Sequence, residues 1–323
     1  MTAQPLLKIE KLRKFYDIRH SVFSRVAGQV QAVNDVSFEI ASREVLGLAG
    51  ESGSGKTTIG RAVLRLVEPT SGSVRFEGQE VTAFNRTELR TFRRKAQIVF
   101  QDPYASMDPT MTVGGVISEP LRVQKLVPRS QIPERVEKLL ADVSLPSHFA
   151  RRRPSELSGG QRQRVVIARA LALEPRFIVA DEPVSSLDVS IQAQVINLLE
   201  GLKARLGLAM LFISHDLAVM EYLSDRIAVV YLGRLMEIGP SREIVTAPKH
   251  PYTEALISAV PDPLNGRKRI ILKGDVPRPI SPPSGCVFRT RCPYVVPVCC
   301  EQVPAPRETS PGHWTACHRD DVL

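Results

Sequence analysis

Cysteine is absent from the first 285 residues of this 323-residue chain, and all five cysteines lie between Cys286 and Cys317. The main body cannot be a disulfide-built fold, and the crowding of thiols becomes a question about the tail alone. Long apolar runs are missing too: none approaches the roughly 18 residues of a membrane-spanning helix, so the chain reads as soluble. The opening MTAQPLLKIEKLRK has no apolar core of about 7 to 15 residues behind a basic start, which argues against a secretion signal. A cytoplasmic setting, where thiols stay reduced, is the expectation. Blocks of like charge are scarce as well. The net charge is +9, yet no basic run exceeds Arg151-Arg152-Arg153. Spread in this way, the excess reads as a solvated surface and not as a nucleic-acid face. Neither an internal repeat nor a low-complexity block is present.

What is present is alternation. Short apolar runs rich in branched residues, VLGLAG (45–50), AQIVFQ (96–101), RFIVAD (176–181) and AMLFISH (209–215), are separated by segments of helical period. That pattern predicts an α/β fold with a mainly parallel, buried sheet covered by helices. Asp188 stands as a candidate N-cap. Ile191, Val195, Leu198, Leu199, Leu202 and Leu206 then mark one helical face up to Gly207, a residue suited to the left-handed conformation beyond a helix. Ile132, Val136, Leu139, Leu140 and Val143 mark another helix, inside a helical insertion over about 102–170. Proline and glycine rise from Pro261 onward, as in PRPISPPSG (277–285), which sets a boundary between domains 1–260 and 261–323. A chain of this length accommodates one large core plus such an appendage.

GESGSGKTT (50–58) fits the G-x-x-x-x-G-K-[ST] pattern of a nucleoside triphosphate loop. A strand leads into it, and Ile59, Ala62, Val63 and Leu66 trace one face of a helix that Pro69 limits. Within the loop, Gly50, Ser52, Gly53, Ser54 and Gly55 are small enough for backbone N–H groups to turn inward around phosphate oxygens at a helix N-terminus. Lys56 supplies a point charge to the outer phosphates, Thr57 an oxygen for Mg²⁺, and Thr58 continues the helix start. A glycine-rich turn that binds nothing would not need both the strand and the helix. The second half of the apparatus is FIVADE (177–182). Its apolar strand delivers Asp181 to a carboxyl end, where ligands collect in such sheets and a carboxylate can hold magnesium. Glu182 follows and is placed to deprotonate attacking water, which favours hydrolysis over transfer to an acceptor. Alone, two acids after a strand are an ordinary solvated loop.

LSGGQ (157–161) opens a further predicted helix, QRQRVVIARALAL. Together with Tyr16 in RKFY, Gln101 in VFQDP, SSLD at 185–188 and His215 in ISHD, in that order, it resembles the ATPase subunits of ABC transporters. Without the resemblance Tyr16 reads as a strand-packing aromatic, Gln101 as a surface amide and His215 as a structural histidine. With it, a P-loop ATPase core carrying an antiparallel β subdomain and the helical insertion is implied. Tyr16 then stacks on adenine, Gln101 senses Mg²⁺ and the γ-phosphate, and His215 contacts the γ-phosphate beside Glu182. Ser158, Gly159, Gly160 and Gln161 present a helix N-terminus suited to an anion. The resemblance implies that they complete the ATP site of a second, homologous ATPase, identical or not, with Asp188 at the interface.

PSGCVFRTRCPYVVPVCCEQVP followed by WTACH is similar to the C-terminal extension of ATPases that drive oligopeptide, dipeptide and nickel importers, and KFYDIRHSVFSRVAGQVQAV is similar to their longer first loop. The residues alone leave the chemistry of the tail open. Disulfides are disfavoured by a reducing compartment and an odd cysteine count. Buried inert thiols, a zinc site helped by His313 or His318, and an iron–sulfur group all remain. The resemblance implies a 4Fe-4S cluster on Cys286, Cys292, Cys299 and Cys317, with a structural role. Cys300 departs from that pattern. Neighbours in an extended chain face opposite ways, so one of Cys299 and Cys300 is spare.

The expectation is therefore an ATP-hydrolysing subunit of a peptide-type ABC importer, peripheral at the cytoplasmic face of the inner membrane. It would dock on two permease subunits through the Gln101 region and depend on an extracytoplasmic solute-binding protein. A soluble ABC ATPase acting on ribosomes or nucleic acid suits the pI of 9.5, but would carry a second cassette or a coiled-coil insertion. A small-molecule kinase has no use for LSGGQ.

Overall fold

Two left-handed residues set the register of the first sheet. Strands β1 (Leu7–Ile18) and β2 (Gly28–Ile40) pair antiparallel, and their pairing shifts between Ile9 and Leu12. Lys11 (φ 48°) and Asp35 (φ 59°) take the irregular positions. Each adds one residue to the alternation, so Leu7, Ile9 and Leu12, like Val33, Val36 and Ile40, all point into the core. Arg13 clamps the bulge by donating to both Asp35 oxygens at 2.7 Å. The computed structural model describes residues 4–18, 27–260, 269–319 and 321. The boundary expected at Pro261 and the middle of the KFYDIRHSVFSRVAGQVQAV loop lie outside those residues.

The chain divides into two compact units, residues 1–41, 45–83 and 213–323 in the first and residues 42–44 and 84–212 in the second. The first unit continues with β3 (Val45–Ala49), every residue of which is buried, then α1 (Lys56–Val63), β4 (Ser71–Phe76) and β5 (Gln79–Glu80). β2, β1, β4 and β5 form an antiparallel sheet in that order. α1 stops at Val63, well before Pro69. Arg65 adopts φ 49°, and the Leu66 N–H closes the turn on the Arg61 carbonyl at 2.8 Å, which leaves Leu66 43% exposed and outside the helix.

The second unit holds α2 (Arg86–Lys95), β6 (Ala96–Val99), α3 (Val113–Gln124), α4 (Ile132–Asp142), α5 (Gly159–Leu171), β7 (Phe177–Asp181), α6 (Val189–Leu206) and β8 (Ala209–Ile213). β6 and β7 are parallel, and β7 also neighbours β8. The helices α3 to α5 fill the stretch expected as an insertion. Asp188 does occupy the N-cap of α6, but its side chain makes no capping hydrogen bond. Val195, Leu199 and Leu202 of the predicted stripe are buried, while Leu206 is exposed beside Gly207 at φ 64°.

The chain then returns to the first unit with α7 (Leu217–Leu223), β9 (Arg226–Tyr231), β10 (Arg234–Pro240), α8 (Ser241–Thr246), α9 (Pro251–Ser258), α10 (Val298–Glu301), β11 (Arg307–Ser310) and β12 (His313–Thr315). β3 pairs parallel with β9, and β9 antiparallel with β10. The tail does not stand apart. Its β12 pairs with β10, Glu237 opposite Thr315, so the cysteine-bearing segment extends the same sheet. No helix among the described residues is long and apolar enough to cross a membrane.

A buried charge cluster locks β12 in place. Glu237, 1% exposed, accepts from the backbone N–H groups of Lys249 (2.6 Å) and His250 (3.0 Å) and faces His313 Nε2 at 2.6 Å. His313 Nδ1 lies 3.2 Å from Glu243. Gly239 makes room, since a Cβ there would stand 2.8 Å from the His313 ring. Burial opposes the imidazolium, but the hydrogen bond and charge of Glu237, then those of Glu243, outweigh it and raise the His313 pKa above its ordinary 6.5. Because the folded-state pKa is the higher one, the stabilisation is complete below the ordinary 6.5 and fades above it as pH rises through the raised folded-state pKa. His313→Gln should cost about 3 kcal/mol, the scale of stranding a buried carboxylate. Thermal unfolding followed from about pH 6 to about pH 9 should show a declining melting temperature in the parent and a flatter profile in His313→Gln; equal slopes would exclude the lock.

Candidate nucleotide site

The loop that follows β3 is pressed against neighbouring backbone at two of its glycines. Gly50 (φ 149°) and Gly55 (φ 102°) each lie where a Cβ would come within 2.2 Å of a carbonyl oxygen, that of Val230 and that of Ala32 respectively. Gly53, at φ 77°, faces open space. Gly55 is the N-cap of α1, so the first N–H groups of that helix open onto the loop. Lys56 is buried, and its ammonium donates to the carbonyls of Gly50 (2.7 Å) and Glu51 (2.9 Å). Ser54 is buried and its backbone carbonyl accepts from Gly233 N–H at 2.9 Å. Ser52 is exposed, and Thr57 and Thr58 are half-buried on the first turn of α1. In the same unit the Tyr16 ring is 39% exposed with Lys14 Nζ 4.8 Å from its centre, and His215 is exposed after the β8 strand.

The second unit gathers the acidic residues. All of β7 is buried, and it ends on Asp181, 2% exposed. Glu182 follows in the left-handed region (φ 46°), a strained setting for a non-glycine residue and one typical of functional sites. Gln101 Nε2 donates to Glu182 Oε2 at 3.0 Å, which brings together two residues 81 positions apart. The signature segment 158–161 caps α5: Ser158 accepts from Gln161 N–H, and Gln161 Oε1 accepts from Ser158 N–H at 3.0 Å. Gly160 packs on α6, since a Cβ there would meet Ile191 at 2.3 Å. Asp188 is exposed.

The cysteines lie on the first unit. Cys286, Cys299 and Cys317 are buried, Cys292 is half-buried and Cys300 is exposed. Cys286 N–H donates to the Cys299 carbonyl at 2.8 Å. Burial, reinforced by neighbouring cysteines, pushes the thiols of Cys286 and Cys292 up to about 11. Cys299 and Cys300 do part company, but not as neighbours in an extended chain: they sit on the helical turn α10, where successive side chains diverge by roughly 100°. Among the described residues no group of three or more His, Cys, Asp or Glu side chains is arranged to hold a single metal ion.

Sequence reasoning missed the supports of the loop. Glu51 N–H donates to the Tyr252 hydroxyl at 2.9 Å, and its carboxylate receives both Arg291 Nη1 (2.7 Å) and Nη2 (3.1 Å). Glu51 was visible only as a variable position of the motif, and Arg291 as a charge between two cysteines. Gly233, at φ 73°, had the weak signal of a tight turn after a strand.

An ABC transporter family model matches residues 33–185, and one for the C-terminal region of oligopeptide/dipeptide transporters matches residues 236–299. A putative peptide import ATP-binding protein of Brucella ovis is 54% identical over the full length of both chains. The oligopeptide transport ATP-binding protein AppF of Bacillus subtilis is 48% identical over 98% of this chain and 99% of its own. Among solved structures, the dimeric post-hydrolysis state of the ATP-binding cassette MJ0796 bound to ADP and Pi superposes with a TM-score of 0.65. It is 28% identical and covers 73% of this chain and 99% of its own. These likenesses embrace the phosphate loop, the strand carrying Asp181 and much of the cysteine tail, and the chain belongs to the family of ATP-binding, ATP-hydrolysing subunits of peptide-type ABC transporters.

Proposed function

We propose that ATP hydrolysis by this chain drives peptide import, with the chain acting as one of two homologous ATPases seated on two membrane permease subunits. The cytoplasmic face of the inner membrane is its place, and an extracytoplasmic solute-binding protein delivers the cargo. The observation that carries the nucleotide reading is the loop at 50–58, a backbone cradle at a helix N-terminus with a buried ammonium beside it. The peptide cargo rests on full-length relatives described as peptide import and oligopeptide transport proteins.

Each residue has a role that its surroundings support. The N–H groups from Gly53 to Thr58 receive phosphate oxygens, and Lys56 exchanges its two loop carbonyls for the outer phosphates. Gly50, Ser52 and Ser54 keep the loop narrow. Tyr16 offers an exposed ring to adenine. Thr57, Gln101 and Asp181 are the oxygen donors for Mg²⁺, which when bound offsets charge on the β- and γ-phosphates. Glu182 removes the proton of the attacking water, oriented by the amide of Gln101, and His215 contacts the γ-phosphate. Ser158, Gly159, Gly160 and Gln161 serve the nucleotide of the partner ATPase, with Asp188 at that interface.

The tail is assigned a 4Fe-4S cluster on Cys286, Cys292, Cys299 and Cys317. Its support is the resemblance of the segment together with the donor set, three buried thiols and one half-buried within one short stretch of chain. Cys300, exposed and within 3.9 Å of the Arg289 guanidinium, is the spare. Such a group cross-links a segment too small to bury a core of its own.

Glu182→Gln should still bind ATP but turn it over at least about a hundredfold more slowly, the usual contribution of a positioned base. Phosphate release by the assembled transporter decides this, and near-normal turnover would remove Glu182 from the role. For the tail, Cys292→Ser purified without oxygen should lose the brown absorbance and most of its iron, whereas Cys300→Ser should keep both. Unchanged iron in Cys292→Ser would dismiss the cluster.

A further inference from the structure

Glu51 presents a problem that the sequence motif conceals. It is the second residue of the phosphate loop, next to Gly50, so a loop that has to receive anions carries an anionic side chain of its own. Unopposed, it would repel the triphosphate and loosen the loop. The opposition comes from 240 residues away. Arg291 donates from both terminal nitrogens to the two carboxylate oxygens of Glu51, at 2.7 and 3.1 Å, in the planar fork geometry that only arginine offers. The Arg291 side chain is 9% exposed and that of Glu51 27%, so the pair is partly shielded from solvent.

Arg291 is itself held rigidly. Its N–H donates to the Phe288 carbonyl at 3.0 Å, and Phe288 is fully buried against Tyr231 and Tyr252, each with its ring centre 5.3 Å away. Tyr252 closes the circle by accepting from Glu51 N–H. His250 packs on the same cluster, its ring centre 5.8 Å from that of Phe288, and burial pushes its pKa down to about 3. The backbone and the carboxylate of Glu51 are thus both fixed by residues that follow the ATPase motifs in sequence.

We propose that Arg291, supplied by the cysteine-rich tail, is a positioning residue of the ATP site: it neutralises Glu51 and keeps the phosphate loop in its anion-binding form. The inference rests on the reading of residues 50–58 as the ATP loop. It makes nucleotide affinity a property of the tail as well as of the core. Loss of the ion pair lowers the fraction of loops ready for ATP, which raises the apparent dissociation constant and leaves the bound complex able to react. A merely structural loss would do the reverse, lowering the active fraction and kcat at constant KM.

The test uses the full chain, titrated with a fluorescent ATP analogue, and the assembled transporter for steady-state kinetics. Arg291→Ala should raise KM for ATP and weaken the analogue about tenfold, with kcat within about twofold. Arg291→Lys, which keeps the charge without the fork, should fall between. The decisive variant is Arg291→Ala/Glu51→Gln. With the stranded carboxylate gone, most of the lost affinity should return, as no packing defect would allow. Should Arg291→Ala not accumulate, Arg291→Lys and Arg291→Lys/Glu51→Gln carry the same comparison. Unchanged KM in the single variants, or a double variant no better than Arg291→Ala, overturns the assignment. Lys56→Ala separates the two levels: if it binds the analogue normally, the loop reading itself fails, whereas loss of binding there with an indifferent Arg291 sinks only the positioning role.

Discussion

An ideal Cβ at Gly55 would stand 2.2 Å from the Ala32 carbonyl oxygen, and one at Gly50 2.2 Å from that of Val230, so the loop at 50–58 is held by backbone pressed against backbone. That constraint determines much of its surroundings. β2 must run close enough to supply Ala32, and the turn after β9 must bring Gly233 to the Ser54 carbonyl. A loop this rich in glycine and serine has few side chains to stabilise it, so the stiffness must come from neighbours. They are strands β2 and β9, the Tyr252 hydroxyl and Arg291. The antiparallel sheet and the tail therefore act alike, each bracing one side of a cradle that could not brace itself.

Three carboxylates are managed by partners of matching geometry, at different depths of burial. Glu237, buried at the root of the tail, is satisfied by two backbone N–H groups and His313. Glu51 is satisfied by a forked guanidinium and Glu182 by an amide. The buried pair of Glu237 and His313 contributes little net stability compared with apolar packing, because desolvation opposes it. The more exposed partners of Glu51 and Glu182 contribute little because solvent screens them. They do specify position sharply. A short tail with a few strands and one helical turn gains from that specificity, since its own apolar surface is too small to choose a single docking geometry.

The sequence made the buried strands legible because each is an apolar run bounded by a turn, and β3, β6, β7 and β8 lie within a residue or two of the runs at 45–50, 96–101, 176–181 and 209–215. The Gln101 to Glu182 contact was foreshadowed only by motif order, since 81 residues separate them. Local conformations that break periodicity were not legible. Arg65 ends α1 early by turning left-handed, and nothing in RLVEPT announces it before Pro69. α10 replaces the extended chain expected at Cys299 and Cys300, a turn of four residues too short to show a period. The least legible feature is the pairing of Arg291 with Glu51. Ion pairs between distant segments leave no periodic trace, and one arginine in CVFRTRC looks like any other until the fold brings it to a carboxylate.

The same physics explains why the signature segment looks unfinished within one chain. Ser158 and Gln161 use their side-chain oxygens on each other's backbone N–H groups, an ordinary capping box. Gly160 is glycine for packing, because Ile191 occupies the space a Cβ would need, and Gly159 has Leu187 at 3.2 Å from its own would-be Cβ. Once those local demands are met, what a ligand could still use is backbone at the first turn of α5, where N–H groups have no intrahelical acceptor. An exposed helix start of this kind is half of an anion site. Under the proposal that a second ATPase brings its nucleotide to this segment, those open N–H groups, and not the side chains already spent on the cap, are what α5 would contribute.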